Sequence, residues 1–176
     1  LVCALSILLF AISANAQDAK QYQQNFSIKG RVSGTIIIVG LVQDAANIQK
    51  LADMVVAEAE KVYDSLDASN PSSEIAKLNA SGGKGKQKVS WPVADALEAA
   101  KKVAGWTKGA FDVVTVGGNY DSISVDENND MVEFKKAGME VRMDNIIDGV
   151  LADLMIGLIK QANMKNAMVR VGNVFR

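Results

Sequence analysis

The chain has 176 residues, of which 49% are hydrophobic and 22% are charged, and its formal net charge is −1. This length suits one domain with a packed core, and the balanced charge offers no basic field for a phosphate backbone, so nucleic acid is not an expected partner. Because the chain contains no histidine, a Ser-His-Asp triad and an imidazole-ligated metal are excluded.

The beginning of the chain has the features of a partial signal peptide. Residues 5–12 form an apolar run that is too short to span a bilayer, and Ala14-Asn15-Ala16 fits the small-x-small cleavage rule. We predict that residues 1–16 are removed on export and that residues 17–176 form a soluble domain in the periplasm or cell envelope, not membrane-spanning after cleavage. Cys3 would be lost with the signal, which leaves no thiol chemistry. The alternative interpretation is a buried N-terminal helix.

The mature chain opens with strand and then helix signals. Residues 26–31 and 34–42 are predicted as a strand pair, because the second carries the β-branched run Ile36-Ile37-Ile38-Val39 between glycines. Apolar residues then recur every three or four positions over residues 44–66. This periodicity predicts one long amphipathic helix with Asp44 as its N-cap.

Two further helices are predicted on either side of a loop. Ser73 is a start signal for a short helix over residues 73–79, and Ser90 followed by Pro92 opens a helix that ends near Gly105. The intervening Gly82-Gly83-Lys84-Gly85-Lys86 lacks the frame and the closing Ser or Thr of a phosphate loop. We predict a flexible surface loop there.

Short strands dominate the following part of the chain. The predicted strands cover residues 113–116, 122–125, 131–135 and 139–143. Asp126-Glu127-Asn128-Asn129-Asp130 places oxygens at the first, third and fifth positions of a calcium loop, but Met131 replaces the required Gly and Ala137 the required Glu. We therefore predict a solvated hairpin turn.

A fourth helix over residues 148–163 and a last strand over residues 167–171 complete the prediction. Helices and strands are interleaved without the strict alternation of a doubly wound sheet. The expected fold class is therefore α+β.

Three segments together carry a family resemblance. Gly34-Thr35 opens an apolar run, Ser73-Glu74-Ile75-Ala76-Lys77-Leu78-Asn79 starts a helix, and Thr107-Lys108-Gly109-Ala110-Phe111-Asp112 follows about thirty residues later. Their order and spacing resemble the ApbE family of FAD:protein FMN transferases, over about residues 34–172. The resemblance implies an ApbE-like, T-fold-related mixed sheet packed by amphipathic helices. It also implies that the chain is an N-terminal portion, truncated at its C-terminal end.

The resemblance implies a function as well. Family members move the FMN part of FAD onto a threonine of a target flavoprotein and release AMP, with Mg²⁺ required. It therefore implies FAD as the ligand and a flavin-accepting envelope protein as a partner, whereas the main magnesium ligands of the family have no counterpart in this chain. The implied flavin-site residues are Thr35, Glu74, Ala110, Phe111 and Asp112. On the residues alone, the favoured interpretation is that Asp112 caps a turn and Phe111 fills a core position, and it is the resemblance that favours flavin contact instead.

Four positions depart from the family pattern. Arg142 replaces a flavin-binding acid, Asp148 replaces a lysine, Ser69 replaces a stacking tyrosine and Ser33 replaces a methionine. The charge inversions weaken the expected binding of the flavin pyrophosphate, and the lost aromatic ring weakens stacking on the cofactor. We therefore expect little or no transfer activity from this segment. The alternative is a non-catalytic relative that binds flavin or protein on the same scaffold. A purely structural envelope protein is a third interpretation.

Overall fold

The computed structural model describes residues 5–8, 21–28, 32–41 and 45–176. They divide into two compact units: one holds the described residues up to Lys61 together with Asp148–Arg176, and the other holds Val62–Ile147. The second unit is therefore a continuous insertion in the sequence of the first. None of the helices within the described residues is long and apolar enough to cross a membrane.

The elements follow one another as strands and helices of unequal length. The strands are β1 (Leu5–Leu8), β2 (Gln21–Ile28), β3 (Gly34–Leu41), β4 (Gln87–Lys88), β5 (Val114–Val116), β6 (Ile123–Asp126), β7 (Met131–Phe134), β8 (Glu140–Val141), β9 (Asn166–Val171) and β10 (Val174–Phe175). The helices are α1 (Ala45–Leu66), α2 (Glu74–Ala80), α3 (Trp91–Trp106) and α4 (Ile147–Gln161), with a short 3-10 helix at Tyr120–Ser122.

The first unit contains a sheet with the strand order β1-β2-β3-β9-β10. Its strand pairs are all antiparallel, and β9 lies beside β3 although the second unit separates them in sequence. Gly34 permits this pairing, because a Cβ at that position would overlap the carbonyl oxygen of Arg170 on β9. The backbones therefore approach more closely here than any other residue type would allow.

One face of this sheet is apolar, in accordance with the period of two along a strand. Phe26 and Ile28 on β2, and Ile36 and Ile38 on β3, are buried on the same face. Gln24 interrupts the pattern: it is buried, and its side-chain amide donates to Oε1 of Gln49 at 3.1 Å. Helix α4 adds to the core of this unit through Leu151, Ala152, Met155 and Ile159.

The second unit contains two small sheets with α2 and α3. Strands β4, β7 and β6 form one sheet in that order, and β5 pairs with β8 in the other, all antiparallel. Helix α3 buries the regularly spaced Val93, Leu97, Ala100 and Ala104. The buried β-strand side chains Ile123, Val132, Phe134 and Val141 complete this core.

The predicted α+β class is confirmed, and the expected mixed sheet takes the form of antiparallel sheets within the described residues. The long helix and the two shorter helices that follow it end within one residue of prediction, and the hairpin turn between β6 and β7 is confirmed. Strand β2 begins at Gln21 rather than at the predicted residue 26. Strand β8 covers only Glu140–Val141, whereas residues 139–143 were predicted. The two-residue strands β4 and β10 carry too little periodicity to be predicted.

Several predictions fall wholly or partly outside the described residues, including residues 29–31 and 42 at the ends of the two strands predicted over 26–31 and 34–42. The predicted N-cap Asp44 lies outside them, as does most of the predicted signal peptide. Within that segment Leu5–Leu8 forms β1, which pairs with β2. Cleavage after Ala16 remains a prediction.

Candidate functional site

The five flavin-site residues expected from the resemblance lie in both units of the structure. Thr35 belongs to the first unit, and Glu74, Ala110, Phe111 and Asp112 belong to the second. The contacts of Thr35 are therefore those of the first unit, and the contacts of the other four residues are those of the second.

Thr35 is held in the middle of the sheet of the first unit. It is half-buried on β3, opposite Ser27 of β2 and Arg170 of β9. The neighbouring close contact at Gly34 leaves this stretch of backbone little freedom. Thr35 is therefore held in a paired strand, and its contact with flavin stays a prediction.

The segment from Ser73 to Asn79 forms α2 as predicted, and its polar side chains contact backbone. Ser73 Oγ accepts a hydrogen bond from the Ala76 N–H at 2.9 Å, which is a regular N-cap. A carboxylate oxygen of Glu74 accepts a hydrogen bond from the Ser90 N–H at the start of α3. Glu74 thus joins the N-terminal ends of α2 and α3.

Asn79 has a structural role that sequence reasoning missed. Its Nδ2 donates to the carbonyl oxygen of Val141 and its Oδ1 accepts from the Val141 N–H, each at 3.0 Å. The side-chain amide of Asn79 therefore pairs with the backbone of Val141 in the way that a neighbouring strand would. An asparagine at the end of a short helix gives no sequence signal for a partner some sixty residues away.

The turn after α3 is folded back on the end of the helix. The Gly109 N–H donates to the Ala104 carbonyl at 2.8 Å, and the Ala110 N–H donates to the Thr107 carbonyl at 3.1 Å. Thr107 Oγ1 accepts from the Phe111 N–H at 3.1 Å. Gly109 adopts a φ of +81°, which favours glycine.

Asp112 caps the segment that follows this turn. Its Oδ1 accepts from the Val114 N–H and its Oδ2 accepts from the Tyr120 N–H, each at 2.9 Å. The turn-capping interpretation that the sequence left open is thus what the hydrogen bonds show, while contact with flavin stays a prediction. Phe111 is half-buried, and Ala110 is exposed.

Two aromatic residues beside this turn were not singled out by sequence reasoning. The ring of Tyr120 lies over Gly105 and Gly109, where an added Cβ would be 3.9 Å and 3.8 Å from it. Trp106, the last residue of α3, is 79% exposed. The sequence carries no signal for either residue, because single exposed aromatic side chains are common on protein surfaces.

The positions that depart from the family pattern have local partners. Arg142 forms an ion pair with Asp144 at 2.7 Å on the surface, and Ser69 Oγ donates to Asp67 Oδ1 at 2.6 Å. The Ser33 carbonyl accepts from the Gly172 N–H at 3.1 Å. Asp148 lies against the Cα of Gly172, where a Cβ would overlap its carboxylate.

Asp153 on α4 pairs with Arg176. The guanidinium donates to both carboxylate oxygens of Asp153, and this hydrogen bonding raises the pKa of Arg176. Both side chains are substantially exposed, so the pair connects α4 to the end of β10 on the surface. Within the described part of the chain, no three or more His, Cys, Asp or Glu side chains come together in a way that could hold a metal ion.

The fold and these segments define the class of protein to which the chain is similar. Two structures of the flavin transferase ApbE from Vibrio cholerae, one of them a mutant, align with TM-scores of 0.72 and 0.71 at 16% identity. Each alignment covers 90% of this chain, but only 62% and 59% of the other chain. The apo flavinyl transferase ApbE from Pseudomonas stutzeri aligns with a TM-score of 0.73 at 15% identity, over 89% of this chain and 57% of that one.

A family model agrees with the structural likeness. The model described as the ApbE family matches residues 33–118, so the resemblance inferred from the sequence is confirmed. No curated protein matches the sequence. This chain spans about three fifths of the length of the ApbE structures that it matches.

Proposed function

We propose that this protein binds FAD and acts as an ApbE-type flavin transferase. The observation that carries the proposal is the family match over residues 33–118, because this range contains Thr35, Glu74, Ala110, Phe111 and Asp112. The fold likeness to the ApbE structures supports it. In the proposed reaction a threonine hydroxyl of an acceptor protein loses its proton to the solvent and attacks the phosphorus of the FMN moiety. The bond from that phosphorus to the AMP oxygen breaks, and AMP leaves.

The residues of the second unit would contribute by positioning. Phosphoryl-type transfers depend mainly on orientation and charge stabilisation rather than on covalent help from the protein. The turn that ends at Asp112 is held by its own hydrogen bonds, and the small exposed side chain of Ala110 lets a ligand approach the backbone. Glu74 would act in the same way, because its carboxylate orders the start of α3.

The proposed transfer would use Mg²⁺. Mg²⁺ prefers oxygen ligands and bridges phosphates, and in this class of reaction it would neutralise charge on the pyrophosphate. Because the described residues bring together no metal-binding group, we assign no side chain of this chain to the ion.

We further propose that residues 1–16 direct export, so that the acceptor is a flavoprotein of the periplasm or cell envelope.

A second candidate is a non-catalytic relative that binds flavin or a protein on the same scaffold. Two observations favour it: Arg142 and Asp148 invert family charges, and the Asp112 carboxylate is already occupied by two backbone N–H groups. If this relative binds flavin, FAD would bind and stay intact.

One experiment separates the two candidates. The purified chain is titrated with FAD and then incubated with FAD, Mg²⁺ and a flavoprotein domain that carries an acceptor threonine. AMP release, together with flavin fluorescence that stays on the acceptor after denaturation, supports the transferase. Saturable FAD binding without AMP release supports the non-catalytic relative, and the absence of FAD binding contradicts both flavin proposals.

A further inference from the structure

The backbone N–H groups of the turn after α3, from Thr107 to Phe111, all donate within the protein. Those of Thr107, Lys108 and Gly109 donate to Val103, Gly105 and Ala104 at 3.0, 3.1 and 2.8 Å. Those of Ala110 and Phe111 donate to the carbonyl and the hydroxyl of Thr107. A phosphate group at this turn therefore cannot be recognised by a cradle of backbone N–H groups, and recognition must depend on side chains.

Two exposed side chains at this turn offer the chemistry that a nucleotide needs. Trp106 is 79% exposed and provides a flat indole face, and Lys108 is exposed and forms no ion pair with the described residues. An aromatic face binds a planar ring by stacking, and an ammonium group attracts a phosphate. The two residues are separated by only one position, so their Cα atoms are at most about 7.6 Å apart and an extended dinucleotide is long enough to reach both.

The backbone that carries these two side chains is held by contacts on either side of them. Tyr120 lies over Gly105 and Gly109, and its backbone N–H is held by Asp112 at 2.9 Å. Thr107 Oγ1 donates to the carbonyl of Val103 at 2.9 Å and so continues the helix into the turn. A preorganised support of this kind lowers the entropy cost of binding.

We propose that Trp106 and Lys108 are the nucleotide-recognition pair of this protein: Trp106 stacks on a planar ring of FAD, and Lys108 attracts its pyrophosphate. This inference rests on the proposed function. It would also explain how a chain with Ser69 in place of an aromatic residue retains a stacking surface, because Trp106 would provide one from a different element.

The chain contains its own matched control. Trp91 is the first residue of α3 and is 57% exposed, so the two indoles stand at opposite ends of one helix. Trp106→Ala and Trp91→Ala therefore remove the same surface group from the same helix. Trp106→Phe keeps an aromatic face, and Lys108→Gln keeps most of the length of the side chain without its charge.

The test is calorimetric titration of each variant with FAD, FMN, riboflavin and AMP. We expect Trp106→Ala to weaken FAD binding about tenfold or more, Trp106→Phe to restore most of it, and Trp91→Ala to have no effect. If Trp106→Ala also weakens riboflavin binding, Trp106 stacks on the isoalloxazine ring. If it weakens AMP binding instead, Trp106 stacks on adenine. Lys108→Gln should weaken FAD and FMN about twofold to fivefold at low ionic strength, spare riboflavin, and have no effect at high salt.

The outcomes distinguish this inference from the proposed function. If the wild-type chain binds FAD and Trp106→Ala binds it equally well, the recognition pair is wrong and the flavin function stands. The recognition pair is also wrong if Trp91→Ala loses as much affinity as Trp106→Ala. If the wild-type chain does not bind FAD, both proposals are wrong. Thermal melts of each variant establish that a loss of binding is not a loss of folding.

Discussion

At the scale of single residues, Asp112 illustrates how a carboxylate can serve a site through the backbone. It accepts hydrogen bonds from Val114 and Tyr120, so it connects the strand that follows the turn with the 3-10 helix that supports it. A half-buried N–H that loses its acceptor costs more than the hydrogen bond itself gains. Asp112 is therefore expected to matter for stability whether or not it contacts flavin.

We predict that Asp112→Ala lowers the free energy of unfolding by about 1–3 kcal/mol, because two backbone N–H groups lose their acceptors. Urea denaturation followed by circular dichroism measures the change. Asp144→Ala is the control: that carboxylate pairs with Arg142 at an exposed site, so its loss should cost less than about 0.5 kcal/mol. Equal effects of the two substitutions would contradict the capping role.

A second residue-scale effect concerns Asp126 in the turn between β6 and β7. The side-chain amide of Asn129 donates to its carboxylate at 2.9 Å and lowers the pKa of Asp126 below 3.8, with a smaller contribution from the charge of Lys86. Because the pKa is lower in the folded state, ionised Asp126 favours the folded turn above the unfolded pKa. This contribution is lost as the pH falls through the folded pKa.

We therefore expect Asn129→Ala to raise the pKa of Asp126 toward 3.8, as measured by an NMR titration of its carboxyl carbon. Asn128→Ala serves as the comparison, since Asn128 acts on Asp126 only through its backbone N–H, which the substitution retains. A pKa that is the same in both variants would show that the Asn129 side chain is not the cause.

At the scale of elements, the N-terminal ends of α2 and α3 are capped in different ways. Ser73 caps α2 with its own hydroxyl, whereas Ser90 makes no side-chain capping bond at the start of α3. Its N–H donates to Glu74, so α3 depends on a residue of α2 for order at its first turn. The sequence shows a serine at both positions and cannot distinguish these two arrangements.

This asymmetry predicts different costs for the same substitution. Ser73→Ala should lower the free energy of unfolding by about 1 kcal/mol, since it removes a side-chain cap. Ser90→Ala should change it by less than about 0.5 kcal/mol, because the backbone N–H that Glu74 accepts is retained. Thermal or urea unfolding of the two variants side by side gives the answer, and a larger loss for Ser90→Ala would refute the assignment.

At the scale of the whole molecule, the chain forms two compact units, and the first is assembled from both ends of the described chain. Its sheet depends on the pairing of β3 with β9, which are far apart in sequence. The second unit is continuous from Val62 to Ile147 and has its own sheets and helices. Loss of the β3–β9 pairing should therefore lower the local stability of the first unit before that of the second.

We predict that Gly34→Ala destabilises the first unit by at least about 2 kcal/mol, because the new Cβ would overlap the Arg170 carbonyl. Hydrogen exchange should show lost protection in β2, β3 and β9, with protection retained in β6 and β7. Gly157→Ala is the control, since its Cβ meets open space on α4 and alanine favours a helix by about 1 kcal/mol. Uniform loss of protection in both units would contradict the division.

Much of the fold could be predicted from the sequence because its signals are local. The apolar spacing over α1 and α3, the serine before α2 and the polar turn before Met131 each depend on residues within a few positions. The flavin-site prediction came from motif order and stays a prediction. The structure gives only the local contacts of its residues. Glu74 accepts a hydrogen bond from the Ser90 N–H, a partner that no local pattern reveals.

The sequence by itself determined the α+β class, the long amphipathic helix and the likeness to the ApbE family, since periodicity and motif order are properties of neighbouring residues. Only the tertiary structure decided that Asn79 pairs with Val141, that Tyr120 supports the turn through Gly105 and Gly109, and that Trp106 is left exposed. The physical reason is that each of these contacts forms only when segments distant in the chain are packed together. Hydrogen-bond partners and exposure are therefore settled by packing.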